Sequence, residues 1–296
     1  MTTQRSKIYF ASDFHLGVPD HDSSLNREKK LVRWLDIIKQ DASEIFLMGD
    51  VFDFWFEYAT VIPKGYVRLL GKIAEIADSG IPVHVFRGNH DVWAFNYLNK
   101  ELGVQLHRDP IIRSFGGKIF FLAHGDGLGP GDTGYKILKK VFELKLNQFL
   151  FKWLHPDLGT RMGLYFSRKS RIANIAREHK NDFKFIVEEE MLYKFCLQTV
   201  EKQKDIDYLI FGHRHVPLIY LLNEKAGSNF WNSPPGRNFR ITLSSSGSRS
   251  ASSPSGLWPI LPTRSDGSES IPRSPTSAAP SGCARVPSIC IGPASL

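Results

Sequence analysis

In the stretch KIYFASDFH, residues Lys7 to His15, an apolar strand runs directly into an aspartate and a histidine. Side chains two positions apart along a strand point to the same side, so Asp13 and His15 are expected to share one face. An isolated Asp-x-His pair is a weak signal, because most such pairs are ordinary surface residues. The interpretation therefore depends on the residues at the ends of the other predicted strands.

Four later apolar strands also stop at short polar clusters. The strand over residues 44–48 ends at Gly-Asp, and the strand over residues 83–86 ends at Arg-Gly-Asn-His-Asp. Two more end at His-Gly and at Gly-His-Arg-His. These clusters contain Asp50, Asn89, His124, His213 and His215. Helical periodicity between the first strands predicts an α/β fold, in which ligands collect at the carboxyl ends of strands.

The residue types in these clusters are those of a metal site. A mixture of carboxylate, imidazole and amide oxygen suits Mn, Fe or Zn better than Ca or Mg, and the lack of cysteine ligands argues against a structural zinc site. We predict two divalent ions, Mn2+ in preference to Fe or Zn, about 3.5–4 Å apart and bridged by Asp50. The ions would clamp a phosphate and activate a hydroxide, while His90 would protonate or stabilise the leaving oxygen. The predicted ligands are Asp13, His15, Asp50, Asn89, His124, His213 and His215.

In this order the motifs resemble the calcineurin-like metallophosphoesterase superfamily, over roughly residues 7–222. The pattern is Asp-x-His, Gly-Asp-x-x-Asp, Gly-Asn-His-Asp, His-Gly and Gly-His-x-His. The resemblance implies an α/β fold, a layered β-sandwich flanked by helices with a helical insertion. It implies that His90 faces the transition state and that Asp53 orients it. It also implies two metal sites, one of Asp13, His15, Asp50 and His215, the other of Asp50, Asn89, His124 and His213.

Within that superfamily the chain is most similar to the UDP-2,3-diacylglucosamine hydrolase family of lipid A synthesis. The stretches SDFHLG (residues 12–17), GDVFDFW (49–55) and HGDGL (124–128) carry this resemblance. It implies hydrolysis of the pyrophosphate of UDP-2,3-diacylglucosamine to UMP and 2,3-diacylglucosamine 1-phosphate. The substrate contacts that it implies are Asn89, Asp132, Arg168, Lys169 and Arg171. The alternative is a general phosphodiesterase or phosphatase of the same superfamily, acting on nucleotides or phosphoproteins.

Composition limits the binding partners and the cellular compartment to be expected. A net charge of +8 suits an anionic partner such as a phosphorylated substrate, nucleic acid or acidic lipid, without selecting one. The three cysteines have no metal-binding or disulfide spacing, which favours a reducing compartment. Neither a signal peptide nor an apolar run of spanning length is visible. We therefore expect a cytoplasmic protein, peripheral on the cytosolic face of the inner membrane, and no nucleic-acid partner, because no DNA- or RNA-binding motif is present.

Residues 135–154 mix bulky apolar side chains with five lysines. Two interpretations stay open for this segment. It is either a helix packed on the core with a solvated lysine face, or a basic amphipathic cap that admits acyl chains and touches anionic headgroups. We place it in a helical insertion, about residues 133–204, within a catalytic domain of residues 1–225.

Residues 226–296 differ abruptly in composition. They are rich in Ser, Pro and Gly, and contain six Arg and no Lys. We predict a disordered tail, since such a segment buries too little apolar surface to offset the entropy of ordering. The sudden loss of lysine suggests a shifted reading frame, which sequencing of the coding region would test. Because the tail replaces the closing strands of the resembled family, a sheet edge is expected to remain unpaired.

Overall fold

The computed structural model describes residues 5–180, 187–215, 218–222, 239–243, 258–259 and 289–291. The strands in this part of the chain are β1 (Lys7–Ala11), β2 (Ala42–Leu47), β3 (Val83–Phe86), β4 (Gln105–His107), β5 (Ile111–Phe115), β6 (Lys118–Leu122), β7 (Tyr208–Phe211), β8 (Leu218–Leu222), β9 (Phe239–Leu243), β10 (Trp258–Pro259) and β11 (Ile289–Ile291). The helices are α1 (His21–Ile38), α2 (Val67–Asp78), α3 (Tyr97–Leu102), α4 (Thr133–Glu143), α5 (Lys145–Lys152), α6 (Pro156–Lys180) and α7 (Met191–Lys202), with a short 3-10 helix at Val187–Glu189.

The strands form two sheets. The first has the order β10-β11-β1-β2-β3-β4, and β1 to β4 run parallel because α1, α2 and α3 connect them. The second has the order β5-β6-β7-β9-β8, in which β5 and β6 form an antiparallel hairpin and β6, β7 and β9 run parallel. Parallel strands end at one edge of their sheet, so the polar clusters that follow β1, β2 and β3 are brought together.

Alternating side chains along each strand create three apolar layers. Between the sheets, Ile8 and Phe10 of β1 pack with Phe46 of β2 against Phe120 and Ile210 of the second sheet. Each such side chain, fully buried, contributes about 1.5–3 kcal/mol. This central layer makes the fold the sandwich that the sequence predicts.

Helices cover the two outer faces. Leu31, Leu35 and Ile73, from α1 and α2, belong to the apolar cluster on the outer face of the first sheet. On the second sheet, Leu192 and Cys196 of α7 belong to the cluster that contains residues of β6 and β7. Although the sequence places α7 inside the insertion, its buried face belongs to the core of the domain. The predicted layered α/β sandwich with flanking helices is confirmed.

Helices α4, α5 and the first half of α6 form a cap over the loops that follow β2 and β3. Its contact with the domain is aromatic: Phe142 and Phe151 pack against a cluster that includes Phe54, Phe56 and Trp93. No side chain of α4 or α5 is fully buried. Several large apolar side chains of the cap face solvent, and Trp153 is 76% exposed. Among the helices of the described residues, none has the length and hydropathy to cross a bilayer.

The segment predicted to be a disordered tail contributes strands to both sheets, which corrects that prediction at three places. β9 lies between β7 and β8, β11 pairs with β1, and β10 pairs with β11. Prediction from composition missed them because short β-branched runs, such as Phe239–Leu243 (FRITL), are diluted by the Ser and Pro around them. Strand β1 is therefore paired on both sides, contrary to the expected open edge. The rest of residues 226–296 lies outside the described residues.

Candidate metal centre and active site

The loops after β1, β2 and β7 hold their polar side chains on unusual backbone. Asp13, His15, Asp50, His213 and His215 all have positive φ, from 44° at His15 to 73° at His213. Non-glycine residues rarely adopt this region, at a cost of about 1–3 kcal/mol each, and do so where the surroundings over-determine the geometry. All five are predicted metal ligands. The strain is thus concentrated where the sequence predicts function.

One group of side chains gathers around the end of β1. His15 Nε2 lies 3.0 Å from His215 Nε2 and 3.7 Å from Asp50 Oδ2. His215 Nε2 lies 3.5 Å from Asp13 Oδ1. Ligand atoms of all four residues lie within 4.8 Å of one another. The structure therefore brings together the four residues predicted for the first metal.

A second group adjoins it through Asp50. His124 Nε2 lies 3.4 Å from Asp50 Oδ2 and 3.3 Å from Asn89 Oδ1, and His213 Nδ1 lies 2.9 Å from the same amide oxygen. Ligand atoms of Asp50, His124 and His213 also lie within 4.8 Å of one another. The Nδ1 atom of His124 donates to the carbonyl oxygen of Met48 at 2.8 Å, which leaves Nε2 facing the group. Asp50 alone belongs to both groups, as a bridging carboxylate must.

The electrostatics of this centre suit cations. Asp13 and Asp50 are 0% and 1% exposed, so two carboxylates lie out of contact with water. Burial raises the pKa of Asp13 to about 7. Burial would lower the pKa of His124, but the charges of Asp50 and Asp13 raise it to about 10. Both shifts express buried negative charge that favours a bound proton or cation, so these residues fit divalent metal ions.

At two positions in the motifs, neighbouring atoms approach the backbone so closely that only glycine fits. A Cβ atom built at Gly88 would lie 2.1 Å from Asp50 Oδ1, and one at Gly212 would lie 2.1 Å from the hydroxyl of Ser12. Neither neighbour can retreat, because Asp50 and Ser12 are buried. The glycines before Asn89 and His213 thus let the loops after β3 and β7 touch the loops after β2 and β1.

His90 and Asp53 lie beside the first group. His90 Nδ1 lies 3.0 Å from the carbonyl oxygen of Asp53, while the Asp53 carboxylate lies 3.3 Å from His15 Nδ1. A proton on His90 Nδ1 therefore donates to that carbonyl, which fixes the tautomer and the ring orientation. The His90 side chain is 18% exposed, so it borders both the ligand groups and the solvent.

Two supporting residues were missed by the sequence analysis. Asp91 is buried, and its carboxylate accepts hydrogen bonds from Gly88 N at 2.6 Å and Val51 N at 2.8 Å. Arg27 of α1 donates to the carbonyl oxygens of Phe14, His15 and Val18. The position of Asp91 in the Gly-Asn-His-Asp motif could have indicated its role. No sequence signal indicates the role of Arg27, because it reaches the loop after β1 from a helix and contacts backbone atoms there.

A third missed residue ties the cap to the centre. Asp126 follows His124 by two positions and accepts hydrogen bonds from Tyr135 at 2.6 Å and Lys139 at 2.8 Å, both on α4. Burial alone would raise the pKa of Asp126, but the charges of His124 and Lys139 bring it below its ordinary value. Helix α4 is therefore anchored next to the ligand groups.

The residues predicted to contact substrate are placed less tightly. Asp132 is exposed just before α4, and Lys169 is exposed on α6. Arg168 donates to the carbonyl oxygen of Pro19 at 3.0 Å. The side chain of Arg171 lies outside the described residues. Within the described part of the chain, no contact joins Asp132, Arg168 or Lys169 to the ligand groups, in contrast to Asn89.

Comparison with known proteins identifies the family. Residues 6–217 match the family model described as calcineurin-like phosphoesterase. The chain belongs to this family. Its calcineurin-like fold and its class, a metal-dependent phosphoester hydrolase, are therefore those that the sequence predicts. The family implies divalent metals, and the grouped histidines and aspartates supply ligand atoms for them.

Several curated relatives of this calcineurin-like phosphoesterase share a name. A UDP-2,3-diacylglucosamine hydrolase from Porphyromonas gingivalis is 40% identical over 72% of this chain and 84% of its own length. Proteins of the same name from Pseudomonas fluorescens and Aeromonas hydrophila are 28% and 27% identical, over 73% and 71% of this chain and 81% and 82% of their own lengths. The resemblance to this hydrolase family, which the motifs alone indicate, is confirmed.

Proposed function

We propose that the protein hydrolyses the pyrophosphate of UDP-2,3-diacylglucosamine to UMP and 2,3-diacylglucosamine 1-phosphate. The observation that carries the proposal is a pair of ligand groups sharing Asp50 beneath an apolar cap. The polar centre suits the pyrophosphate, and the aromatic surface beside it suits the acyl chains. The name shared by the relatives supports this substrate over a general phosphodiester or phosphoprotein.

In this proposal Asp13, His15, Asp50 and His215 hold one metal, and Asp50, Asn89, His124 and His213 hold the other. Mn2+ is the proposed ion, because the carboxylate and amide oxygens of the set suit it. When bound, the two ions supply neutralisation of phosphate charge and activation of water near neutral pH. Asp91 and Arg27 hold the ligand loops through their hydrogen bonds to backbone.

His90 is the proposed general acid. Its Nδ1 proton donates to the Asp53 carbonyl, so Nε2 is the ring atom from which a proton would pass to the leaving phosphate oxygen. Asp53, which lies between His90 and His15, restrains both rings. Asp132, Arg168, Lys169 and Arg171 are the proposed contacts to the rest of the substrate, and the positive charge of the last three suits its phosphates.

The cap is the proposed contact with the inner membrane from the cytosolic side. Ile137, Phe149 and Trp153 are 64%, 55% and 76% exposed, and lysines lie among them. Apolar side chains that insert below headgroups, with lysines that meet anionic lipid, are the composition of an interfacial helix. A lipid-linked substrate could then enter the cap directly from the bilayer.

A substrate panel tests the function. Metal-free protein is reloaded with manganese, and UMP release is measured from UDP-2,3-diacylglucosamine beside turnover of bis(p-nitrophenyl) phosphate and a phosphopeptide. We expect the lipid nucleotide to have the highest kcat/KM, and Asp50→Asn to abolish turnover of every substrate. A higher kcat/KM for the phosphopeptide or the chromogenic diester would favour the general phosphodiesterase or phosphatase instead.

A further inference from the structure

Helix α6 touches the proposed catalytic pair through the side chain of Ser167. Its hydroxyl donates to Asp53 Oδ2 at 2.5 Å and lies 3.2 Å from His90 Nδ1. Ser167 is 114 positions from Asp53 in sequence, so the contact exists only when the cap is seated. The hydroxyl thus connects His90 to the Asp53 carboxylate, in addition to the direct bond from His90 to the Asp53 carbonyl.

The seating of α6 depends on small residues at helical spacing. Gly159, Gly163 and Ser167 are separated by four residues each, so they lie on one face of the helix. A Cβ atom at Gly163 would lie 2.2 Å from the ring of Phe54, and one at Gly159 would lie 2.1 Å from the hydroxyl of Tyr58. This glycine face therefore lies directly on the segment that follows Asp53.

The ring of Phe54 is held in place. Phe54 is 7% exposed, and its ring lies 6.1 Å from Trp93 and 6.3 Å from Phe151 between centroids. A methyl group at position 163 would therefore displace the helix more readily than the ring. Displacement of α6 by about an ångström is enough to break a 2.5 Å hydrogen bond from Ser167 to Asp53.

We propose that Ser167 is a positioning residue that couples the seating of the cap to the orientation of His90. This inference rests on the proposed function of the site in phosphoester hydrolysis. The glycine face of α6 sets the distance between this helix and the segment that follows Asp53. At that distance the Ser167 hydroxyl contacts both Asp53 and His90. A cap spread by a badly fitting ligand withdraws the Ser167 hydroxyl from Asp53 and His90, so turnover depends on how the cap closes.

Kinetics of the full, manganese-loaded chain test the coupling. Ser167→Ala removes the hydroxyl, Gly163→Ala separates the helix from Phe54, and Gly134→Ala is the control, because a Cβ there meets nothing within 4 Å in the same cap. We expect the first two to lower kcat by roughly ten- to hundredfold with little change in KM, and the control to match the unmodified chain. Unchanged kcat for both test variants would refute the proposal.

A double-mutant cycle separates positioning from loss of structure. In a His90→Ala background, Ser167→Ala should lower the residual rate by less than about twofold, because its effect passes through His90. A full additional loss would show that Ser167 acts elsewhere, and would overturn the proposal. In metal-free protein, the Nδ1 resonance of His90 in a 15N-histidine spectrum should shift in Ser167→Ala and stay in place in Gly134→Ala.

The cycle is run on bis(p-nitrophenyl) phosphate as well as on UDP-2,3-diacylglucosamine. If the unmodified chain hydrolyses only the diester, the proposed substrate fails while the coupling is still decided by the cycle. If the lipid nucleotide is hydrolysed and the cycle is additive on both substrates, the coupling alone fails.

Discussion

One buried carboxylate, that of Asp91, holds two ligand-bearing loops at a fixed separation. It accepts from Gly88 N, before Asn89, and from Val51 N, after Asp50. Burial raises the pKa of Asp91 to about 6, and the charge of Asp50 adds to the rise. The hydrogen bonds from Gly88 N and Val51 N oppose that rise by favouring the charged form. Asp91 therefore acts on the metal centre through backbone, without being a ligand.

We expect Asp91→Asn to lower manganese affinity about 10- to 100-fold. An amide keeps one acceptor oxygen, while its NH2 group opposes a backbone N–H, so one loop is released. Titration of metal-free protein with manganese by calorimetry measures the effect. Asp109→Asn is the matched control, because Asp109 is exposed beyond β4. Equal affinity in both variants would contradict the role given to Asp91.

Glycines distinguish close approach from mere flexibility. At Gly88 a methyl group would overlap Asp50, so Gly88→Ala should destabilise the fold by about 1–3 kcal/mol and reduce metal content. At Gly71, on the exposed face of α2, a methyl group meets nothing within 4 Å. Gly71→Ala should therefore stabilise the fold by about 0.5–1 kcal/mol. Urea denaturation measures the change in the free energy of unfolding of each variant. A loss of stability in Gly71→Ala would contradict this account.

Among single residues, the sequence predicts side chains that follow strands and misses those that act from elsewhere. Asp13, Asp50 and Asn89 are predicted because each follows an apolar run, and the ends of parallel strands converge. Arg27 and Ser167 were not found, because a helix residue reaches a loop only once the helices are docked. Their partners are backbone carbonyls or a side chain more than a hundred positions away, which no local pattern indicates.

Among the helices and strands, the long periodic segments were predicted and the short ones were missed. Strand β3 matches its predicted bounds, and α1 and α2 lie between the first strands, where helical periodicity is predicted. Helix α3 and strand β4 have six and three residues, which is too short for periodicity to be visible. They extend the first sheet by its fourth parallel strand. Boundaries of helices also depend on caps that come from other elements.

Helix α2 has such a borrowed cap. Its own N-cap residue, Tyr66, makes no capping hydrogen bond, but Glu28 of α1 accepts from Arg68 N at 2.9 Å and Leu69 N at 3.1 Å. Glu28→Ala leaves these two N–H groups unpaired, one of them buried. We expect it to lower the free energy of unfolding by about 1–3 kcal/mol. Thermal unfolding of Glu28→Ala measures the effect, and Glu101→Ala, at an exposed glutamate of α3, is the control. Equal thermal midpoints for the two variants would contradict the capping role of Glu28.

The cap helices carry a prediction about lipid. Phe149 and Trp153 are exposed on α5 and just after it, with ring centroids 6.0 Å apart. Replacing both by Ala should weaken binding to vesicles of phosphatidylglycerol by about tenfold or more, because two aromatic rings no longer enter the interface. Co-sedimentation measures binding, and unchanged thermal stability of the variant excludes unfolding as the cause. Unchanged vesicle binding would contradict the proposed membrane contact.

In the molecule as a whole, both sheets depend on the last part of the chain. Strand β9 lies between β7 and β8, and β11 covers the side of β1 opposite β2. Because His213 and His215 directly follow β7, and Asp13 and His15 directly follow β1, the two strands that carry four proposed ligands are also the two that the tail pairs. The motifs predict the ligands on these two strands, whereas the composition predicts no structural role for the tail.

Truncation tests that role. A chain ending at Leu222 would expose the backbone groups of β7 and β1 along one side, which lowers stability and favours aggregation. We expect its thermal midpoint to fall by at least about 5 °C, and its manganese content to fall with it. A chain ending at Leu243 keeps β9 and loses β11. Its thermal midpoint should therefore lie between that of the full chain and that of the chain ending at Leu222. If the chain ending at Leu222 unfolds at the same temperature as the full chain and binds as much manganese, then pairing by the tail contributes nothing to the metal centre.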